Sequence, residues 1–268
     1  MNDFNQKVVV ITGAASGMGR AYALAFAKEG SCLALCDFDE QGLQETIAFV
    51  SKLTQEKVCS KVFDISDEQA TFEFASQVKT ELGNAHVVIN NAGIEGSTKP
   101  VWATDAGYFK RVMAVNYFGV VNGTRAFLPQ LQAENRGAIV NVSSIFGLAG
   151  TPNHADYCGS KFAVRGFTES LMVELASTDI QVHLLHPGGI KTNIARQESS
   201  KAFSEHFLTT SADDIAQHLI TSIKKNKLRI IYGNSAMKTW LGTRLLSLKM
   251  LRKVIWNEMK TSIDLKDY

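Results

Sequence analysis

Short apolar runs recur along this chain, and each is followed by a stretch with helical spacing. Residues 7–12 (KVVVIT), 32–37 (CLALCD), 58–63, 86–90 (HVVIN), 138–143, 180–186 and 228–232 read as strands. Most are apolar throughout, as expected of strands buried on both faces of a parallel sheet. Between them, residues 17–29, 40–53, a segment from Ser66 to near Gly83, 105–134, 155–177 and 212–225 read as helices. The first carries Ala21, Leu24, Ala25 and Ala27 on its apolar face and stops at Gly30. Ser66-Asp67-Glu68-Gln69 has the make-up of a capped helix start. Pro129 predicts a bend late in the longest helix. This alternation predicts an α/β fold, Rossmann-like and doubly wound, with a mostly parallel seven-stranded sheet covered by helices on both faces.

No repeat with a period of 20–50 residues and no linker-like tract divides the chain, so residues 1–236 read as one domain. Residues 237–268 read as a basic, apolar helical extension. There Met237, Leu241, Leu245, Leu248, Leu251 and Ile255 follow a helical spacing, with Lys238, Arg244, Lys249, Arg252 and Lys253 around them. Two readings stand side by side: a helix packed on its own domain or a partner subunit, or an interfacial helix drawn to anionic lipid.

Composition changes this picture in three places. Apolar residues make up 45% and charged residues 20% of 268, which provides for a substantial core. The net charge of +2 makes no case for nucleic acid, but it is uneven. Residues 215–257 hold nine Lys or Arg and no Asp or Glu, leaving 19 basic and 26 acidic residues elsewhere, a net of −7. The four cysteines, Cys32, Cys36, Cys59 and Cys158, form no C-x-x-C pair and no metal-ligand spacing. Cys32 and Cys36 read as small core residues, and Cys158 as an incidental neighbour of Tyr157. The first residues lack a basic and apolar leader pattern, and no apolar run reaches the length of a membrane span. The expectation is a cytoplasmic protein, with membrane-peripheral contact through the tail as the variant.

The first strand runs into Thr12-Gly13-Ala14-Ala15-Ser16-Gly17-Met18-Gly19 and then into a helix. A glycine-rich turn in that context suits a dinucleotide. Gly13 permits a tight turn, Gly17 and Gly19 permit close approach, and the helix N-terminus offers N–H groups to a pyrophosphate. Asp37 ends the second strand, eighteen residues after Gly19. A carboxylate there can accept both ribose hydroxyls of an adenosine and repels a 2′-phosphate. No Lys or Arg occurs in Asp37-Phe38-Asp39-Glu40 to offset that repulsion, which favours NAD over NADP. Arg20 is expected to face solvent or the outer edge of the cofactor.

Tyr157 and Lys161 stand four residues apart and share one face of a helix. An ammonium beside a phenol favours the phenolate, so this tyrosine can act as an acid or base near neutral pH. Ser144 lies thirteen residues before it; Ser143 competes for the same role, and the spacing favours Ser144. His86, His183 and His186 read as core or strand-end residues, whereas His154 is a candidate for the substrate mouth.

Together these residues give the chain a resemblance to the short-chain dehydrogenases/reductases of the single-domain type, from about Lys7 to Tyr232. The motifs that carry it are the glycine turn, Asp64, Asn90-Asn91-Ala92-Gly93, Asn116, Ser144, Tyr157 with Lys161, and Pro187-Gly188. The resemblance implies that Tyr157 exchanges the hydroxyl proton of the substrate. It implies that Lys161 lowers the tyrosine pKa and holds the nicotinamide ribose, and that Ser144 bonds the substrate oxygen. Asn116 would hold a local kink and a water leading from Lys161 to solvent. Gly13, Ser16, Gly17, Met18 and Gly19 would cradle the pyrophosphate, with Asp37 and Phe38 at the adenosine. Asp64 and Ile65 would meet the adenine. Asn90, Asn91, Ala92 and Gly93 would line the cofactor, and Pro187, Gly188, Ile190 and Thr192 would hold the nicotinamide end. The hydride expected is the 4-pro-S one, with no metal.

The same resemblance implies that specificity comes from residues 94–102, 145–154 and 194–208, the last acting as a lid. They supply Ile145, Phe146, Leu148, Ala149, Phe203 and Phe207. This apolar lining predicts a lipophilic secondary alcohol or ketone as the small-molecule partner. Homodimers or homotetramers are implied, pairing through the helices at 105–134 and 155–177. The alternatives are an NADP-dependent carbonyl reductase, a catalytically silent nucleotide-binding protein, and a membrane-associating module.

Overall fold

Seven parallel strands are hydrogen-bonded side by side: β1 (Val8–Thr12), β2 (Cys32–Asp37), β3 (Val58–Val62), β4 (Val87–Asn90), β5 (Gly137–Val142), β6 (Ile180–Pro187) and β7 (Arg229–Tyr232). Their order in the sheet is β3-β2-β1-β4-β5-β6-β7. In this computed structural model all residues are described except 2, 193, 195, 196 and 198–200. The sheet is the predicted one. After β3 the chain crosses back to pair β4 with β1, matching Val10 with Val88 while Val10 also faces Ala34 of β2. That reversal opens a crevice at the C-terminal ends of β1 and β4, where such sheets take ligands.

Alternation along β1 sorts the core into two layers. Val9 and Ile11 point into one, with Leu33 and Leu35 of β2. It is closed by α1 (Gly17–Lys28), α2 (Glu40–Val50) and α8 (Ala212–Lys224), through Phe26, Leu43, Ile215 and Leu219. Val8 and Val10 point into the other, with Ala34 and Val88. That layer is closed by α3 (Glu68–Leu82), α5 (Gly119–Ala133) and α6 (Ala155–Glu174), through Phe74, Phe127 and Leu171. Each fully buried Leu, Ile or Phe contributes about 1.5–3 kcal/mol of apolar burial, so both layers bear on stability.

Local chemistry sets the helix starts. Asp39 caps α2 by accepting the Gly42 N–H, and Asp67, not Ser66, caps α3 by accepting the Ala70 N–H. The long helix is interrupted. It runs as α4 (Ala106–Met113), a π-helical stretch at Ala114–Phe118, and then α5, which continues through Pro129. The π-helical stretch is the local irregularity that the resemblance implied at Asn116, and helical structure continues across Pro129. The region expected to act as a lid falls partly outside the described residues. Within it α7 (Lys201–Phe207) is a helix that the pattern did not predict.

The extension also differs: it is two helices, α9 (Ala236–Leu245) and α10 (Leu248–Met259). Leu246 is extended, and Ser247 caps α10 by accepting the Met250 N–H. Past α10 the chain lies on its own domain. Trp102 Nε1 donates to the Asp267 carbonyl at 2.9 Å, Asn153 Nδ2 donates to the Asp264 carbonyl at 2.9 Å, and the Tyr268 hydroxyl donates to Asn153 Oδ1.

Candidate active site

The ends of β1 and β4 are tied together at the crevice. Thr12 Oγ1 accepts the backbone N–H groups of Asn91 and Ala92, each at 3.0 Å, and Asn91 Nδ2 donates to the Thr12 carbonyl at 2.9 Å. Above them the turn folds tightly. Gly13 has φ of +69°, and a Cβ on Gly19 would sit 1.9 Å from the Gly13 carbonyl oxygen. Ser16, at the N-cap of α1, makes no side-chain cap bond, and no acidic residue follows in the first turn. The leading N–H groups of α1 are thus left to an anion.

Asp37 holds this turn from β2: its carboxylate accepts the Ala15 N–H at 2.8 Å and the Asp39 N–H at 3.1 Å. Phe38 beside it is exposed. The expectation for Arg20 is corrected. Its guanidinium bonds Thr46 Oγ1, the Ala15 and Gly42 carbonyls and Glu45, bracing α1 against α2. Five donors in a planar fork satisfy these acceptors at once, so the side chain stays over the protein. Asp64 bonds Ser66 and Arg111, and Ile65 is buried, with Gly119 placed so that a Cβ there would meet it. Burial raises the Asp64 carboxyl, but the Ser66 and Arg111 bonds outweigh it and hold the group below its ordinary value.

A single cavity joins the two halves of the site. Met18, Asn91, Gly93, Pro187, Gly188, Ile190 and Thr192 line it together with Ser144, Tyr157 and Lys161. Thr192 reaches the glycine turn, since a Cβ on Gly17 would come within 3.1 Å of it. Asp37, Phe38, Asp64 and Ile65 lie away from that cavity, toward the β2–β3 side of the crevice. An uncapped helix start, a side-chain-free cradle and a carboxylate at the end of β2 fit a dinucleotide laid across the sheet.

Within the cavity the two serines separate. Ser143 Oγ is buried and donates to the Lys161 carbonyl at 2.8 Å, a structural contact. Ser144 Oγ accepts the Phe146 N–H at 3.1 Å and lines the cavity beside Tyr157. Asn116 is fully buried. It grips the Ile94 backbone with both ends of its amide, at 2.8 and 3.1 Å, and also donates to Ser160. Its observed contact is thus a clamp on the loop after β4, with the π-helical stretch turning the amide toward it.

Lys161 Nζ donates to the Val142 carbonyl at 3.0 Å and lies 5.6 Å from the Tyr157 ring centroid. Burial pulls its ammonium down to about 8. The tyrosine departs from the sequence expectation. Enclosure pushes its phenol above the ordinary value, and the Ser144 hydroxyl works only partly against this. The lysine expected to lower the phenol is itself desolvated and is turned to a carbonyl.

Asp156, His186, Ile255 and Met259 escaped the sequence reading as parts of the site, whereas Phe146, Phe203 and His154 line the cavity as expected. Asp156 is buried and accepts the Ser97 and Tyr157 N–H groups, each at 2.8 Å, coupling the loop after β4 to the tyrosine. His186 Nδ1–H donates to the Ser144 carbonyl at 2.8 Å. Ile255 and Met259 of α10 supply an apolar wall of the cavity. Phe146 stands at 6.0 Å from the Tyr157 ring and 6.0 Å from Phe203, and His154 packs against both Phe146 and Phe203 at the cavity wall. Two carboxylates, Glu95 and Glu258, also line the cavity, so its wall is less uniformly apolar than expected; Glu258 is paired with Lys238.

His186 yields a pH prediction. Burial drops its pKa from 6.5 to about 4. As pH falls, the unfolded chain takes up a proton near 6.5 while the folded chain resists until about 4, so stability is lost across that window and not above it. The expected loss from this residue is about 2 kcal/mol between neutral pH and pH 5. Denaturant midpoints at the two pH values should converge in His186→Asn, which keeps a donor for Ser144 and does not titrate. An equal acid loss in that variant would assign the effect to other groups.

A dinucleotide cradle joined to a Ser144–Tyr157–Lys161 group defines an oxidoreductase acting on alcohols through a nucleotide cofactor. Sequence comparison identifies the class further. The short chain dehydrogenase family pattern matches residues 7–202. The chain is 39% identical over 251 residues to the oxidoreductase SadH of Mycobacterium tuberculosis, covering 88% of this chain and 89% of that one. It is 39% identical over 188 residues to human epidermal retinol dehydrogenase 2, covering 70% of this chain and 58% of that one. A short-chain dehydrogenase/reductase from Burkholderia phymatum, solved in complex with NAD, superposes with a TM-score of 0.82 at 27% identity, covering 100% and 99% of the two chains. The chain belongs to the short-chain dehydrogenase/reductase family.

Proposed function

We propose that this protein interconverts a lipophilic secondary alcohol and its ketone, using NAD. The observation that carries the reading is the Ser144–Tyr157–Lys161 group facing a cavity whose walls include Phe146, Phe203, Phe207, Ile255 and Met259. NAD, when bound, would supply the hydride acceptor, and its positive ring would add to the charge that favours a phenolate. Tyr157 takes the hydroxyl proton in oxidation and returns it in reduction. Ser144 orients the substrate oxygen, and Lys161 holds the nicotinamide ribose. Asn116 fixes the loop that borders both. Gly13, Ser16, Gly17, Met18 and Gly19 receive the pyrophosphate, and Asp37 reads the ribose hydroxyls, which favours NAD over NADP. Phe38, Asp64 and Ile65 border the adenine; Asn91, Ala92, Gly93, Pro187, Gly188, Ile190 and Thr192 line the remainder. Similarity to a retinol dehydrogenase and to an NAD complex supports both the lipophilic substrate and the cofactor.

In this reading the protein works in the cytoplasm as a homodimer or homotetramer. Exposed Tyr108, Phe118 and Phe162 on α4, the π-helical stretch and α6 support pairing of two copies through that layer. No helix among the described residues is long and apolar enough to cross a membrane.

Turnover of secondary alcohols of graded length, followed by nicotinamide absorbance with NAD and with NADP, tests the reading. The kcat/KM with NAD should rise by about threefold to fourfold per methylene buried. Met259→Ala should lower it about tenfold for the largest substrate and leave the smallest little changed. A flat or falling profile with apolar size would exclude a lipophilic substrate.

A further inference from the structure

The helices α9 and α10 form a hairpin with two unlike sides. A Cβ on Gly242 would touch Leu251, and Lys238 pairs with Glu258, so the two helices lie alongside each other. On the inner side Leu251, Ile255 and Met259 follow at four-residue steps, and the last two line the cavity. The outer side is unusual. Met237, Leu241 and Leu245 repeat at the same step on α9 and are all exposed, and the first turn of α10 adds exposed Leu248 and Met250. Leu245 and Leu248 are 77% and 81% exposed. A helix facing water ordinarily turns its apolar stripe to the core, and α9 turns it outward.

Cations surround this apolar tip. Arg244, Lys249, Arg252 and Lys253 are exposed within the same ten residues, and no carboxylate occurs from 215 to 257. Arg244 is stacked on Trp240 at 4.6 Å, which holds its charge beside Leu245. The mixture argues against a second copy as the occupant. An isologous contact sets the patch against its own copy, so four cations on each side would meet a surface with no carboxylate of its own to pair with them. A bilayer with anionic headgroups accepts both features: the leucines enter the acyl boundary and the cations reach the phosphates.

We propose that the hairpin tip, Leu245, Leu248 and Met250 with Arg244, Lys249, Arg252 and Lys253, docks on an anionic phospholipid bilayer. The dock places the Ile255–Met259 wall on the reverse side of the element that meets the lipid. Its purpose, collecting a membrane-dissolved substrate, rests on the lipophilic-alcohol reading; the docking itself does not.

The test is co-sedimentation of the full chain with vesicles of phosphatidylcholine alone and of equimolar phosphatidylcholine and phosphatidylglycerol. Turnover of a short, water-miscible secondary alcohol is measured in parallel. The protein should sediment with the mixed vesicles, not with phosphatidylcholine alone, and raised salt should release it. Leu245→Asp with Leu248→Asp, and separately Lys249→Glu with Arg252→Glu, should each lower partitioning by about tenfold or more, with short-alcohol turnover unchanged. All four positions are exposed, so folding is spared. Failure of the protein to sediment with the mixed vesicles, or equal binding by both variants, overturns the proposal. So does a leucine variant that converts a dimer to a monomer by light scattering while binding vesicles as before. Sedimentation with no turnover of any alcohol in the graded series sinks the lipophilic-alcohol reading and leaves the dock standing, so the two failures are distinguishable.

Discussion

Tyr157→Phe is expected to lower kcat about a thousandfold while nicotinamide nucleotide still binds. The substitution removes one oxygen and little else. Phe146 packs edge-on against the ring at 6.0 Å, and Asp156 holds the backbone N–H at 2.8 Å; both contacts survive in phenylalanine. Ser144 loses a neighbouring hydroxyl but still accepts the Phe146 N–H, so the cost to stability stays near 1 kcal/mol. What is lost is the group that exchanges the substrate proton, and such groups contribute about a hundredfold to ten-thousandfold. Steady-state turnover beside a fluorescence titration with NAD separates the effects. A rate near that of the parent would transfer proton exchange to another residue. Weakened nucleotide binding together with a lower melting temperature would trace the loss to folding.

The sheet was readable because its five inner strands are buried on both faces. Runs such as KVVVIT have no other stable placement, and β1 through β7 fall within a residue or two of the pattern. The glycine turn was readable because its requirement is local: a positive φ at Gly13 and no room for a Cβ at Gly19. Features made by convergence were not. His186 reaches Ser144 only because β5 and β6 are neighbours, and Asp156 reaches Ser97 only because the loop after β4 folds over α6. The π-helical stretch leaves no mark on periodicity; its place at Asn116 came from the resemblance, and the clamp of Asn116 on Ile94 is visible only in the fold. In the extension an apolar stripe at helical spacing has the same appearance whether it faces the core or the solvent. Periodicity alone could not reveal that α10 turns inward at Met259 while α9 turns outward at Leu245. The tyrosine pKa failed for a similar reason, because the sequence gives the distance along a helix but not the loss of water around it.

The second large effect concerns the cofactor. Asp37→Ala is expected to raise the NAD dissociation constant about a hundredfold and to bring the NAD and NADP values close together. Two ribose hydroxyls bonded to a carboxylate are worth about 1.5 kcal/mol each, which corresponds to that factor. Removing the charge also removes the repulsion felt by a 2′-phosphate, so NADP loses less. The structure adds a complication that the test must absorb. Asp37 also accepts the Ala15 N–H at 2.8 Å, and alanine loosens the glycine turn for both nucleotides alike. Asp37→Asn separates the contributions: its amide oxygen keeps the Ala15 bond, whereas the neutral side chain no longer repels phosphate. Calorimetric titration of both variants with both nucleotides should show the NAD-to-NADP ratio compressed in each and overall affinity weaker in alanine. A ratio that stays at the parent value in both variants would mean that a group other than Asp37 reads the ribose.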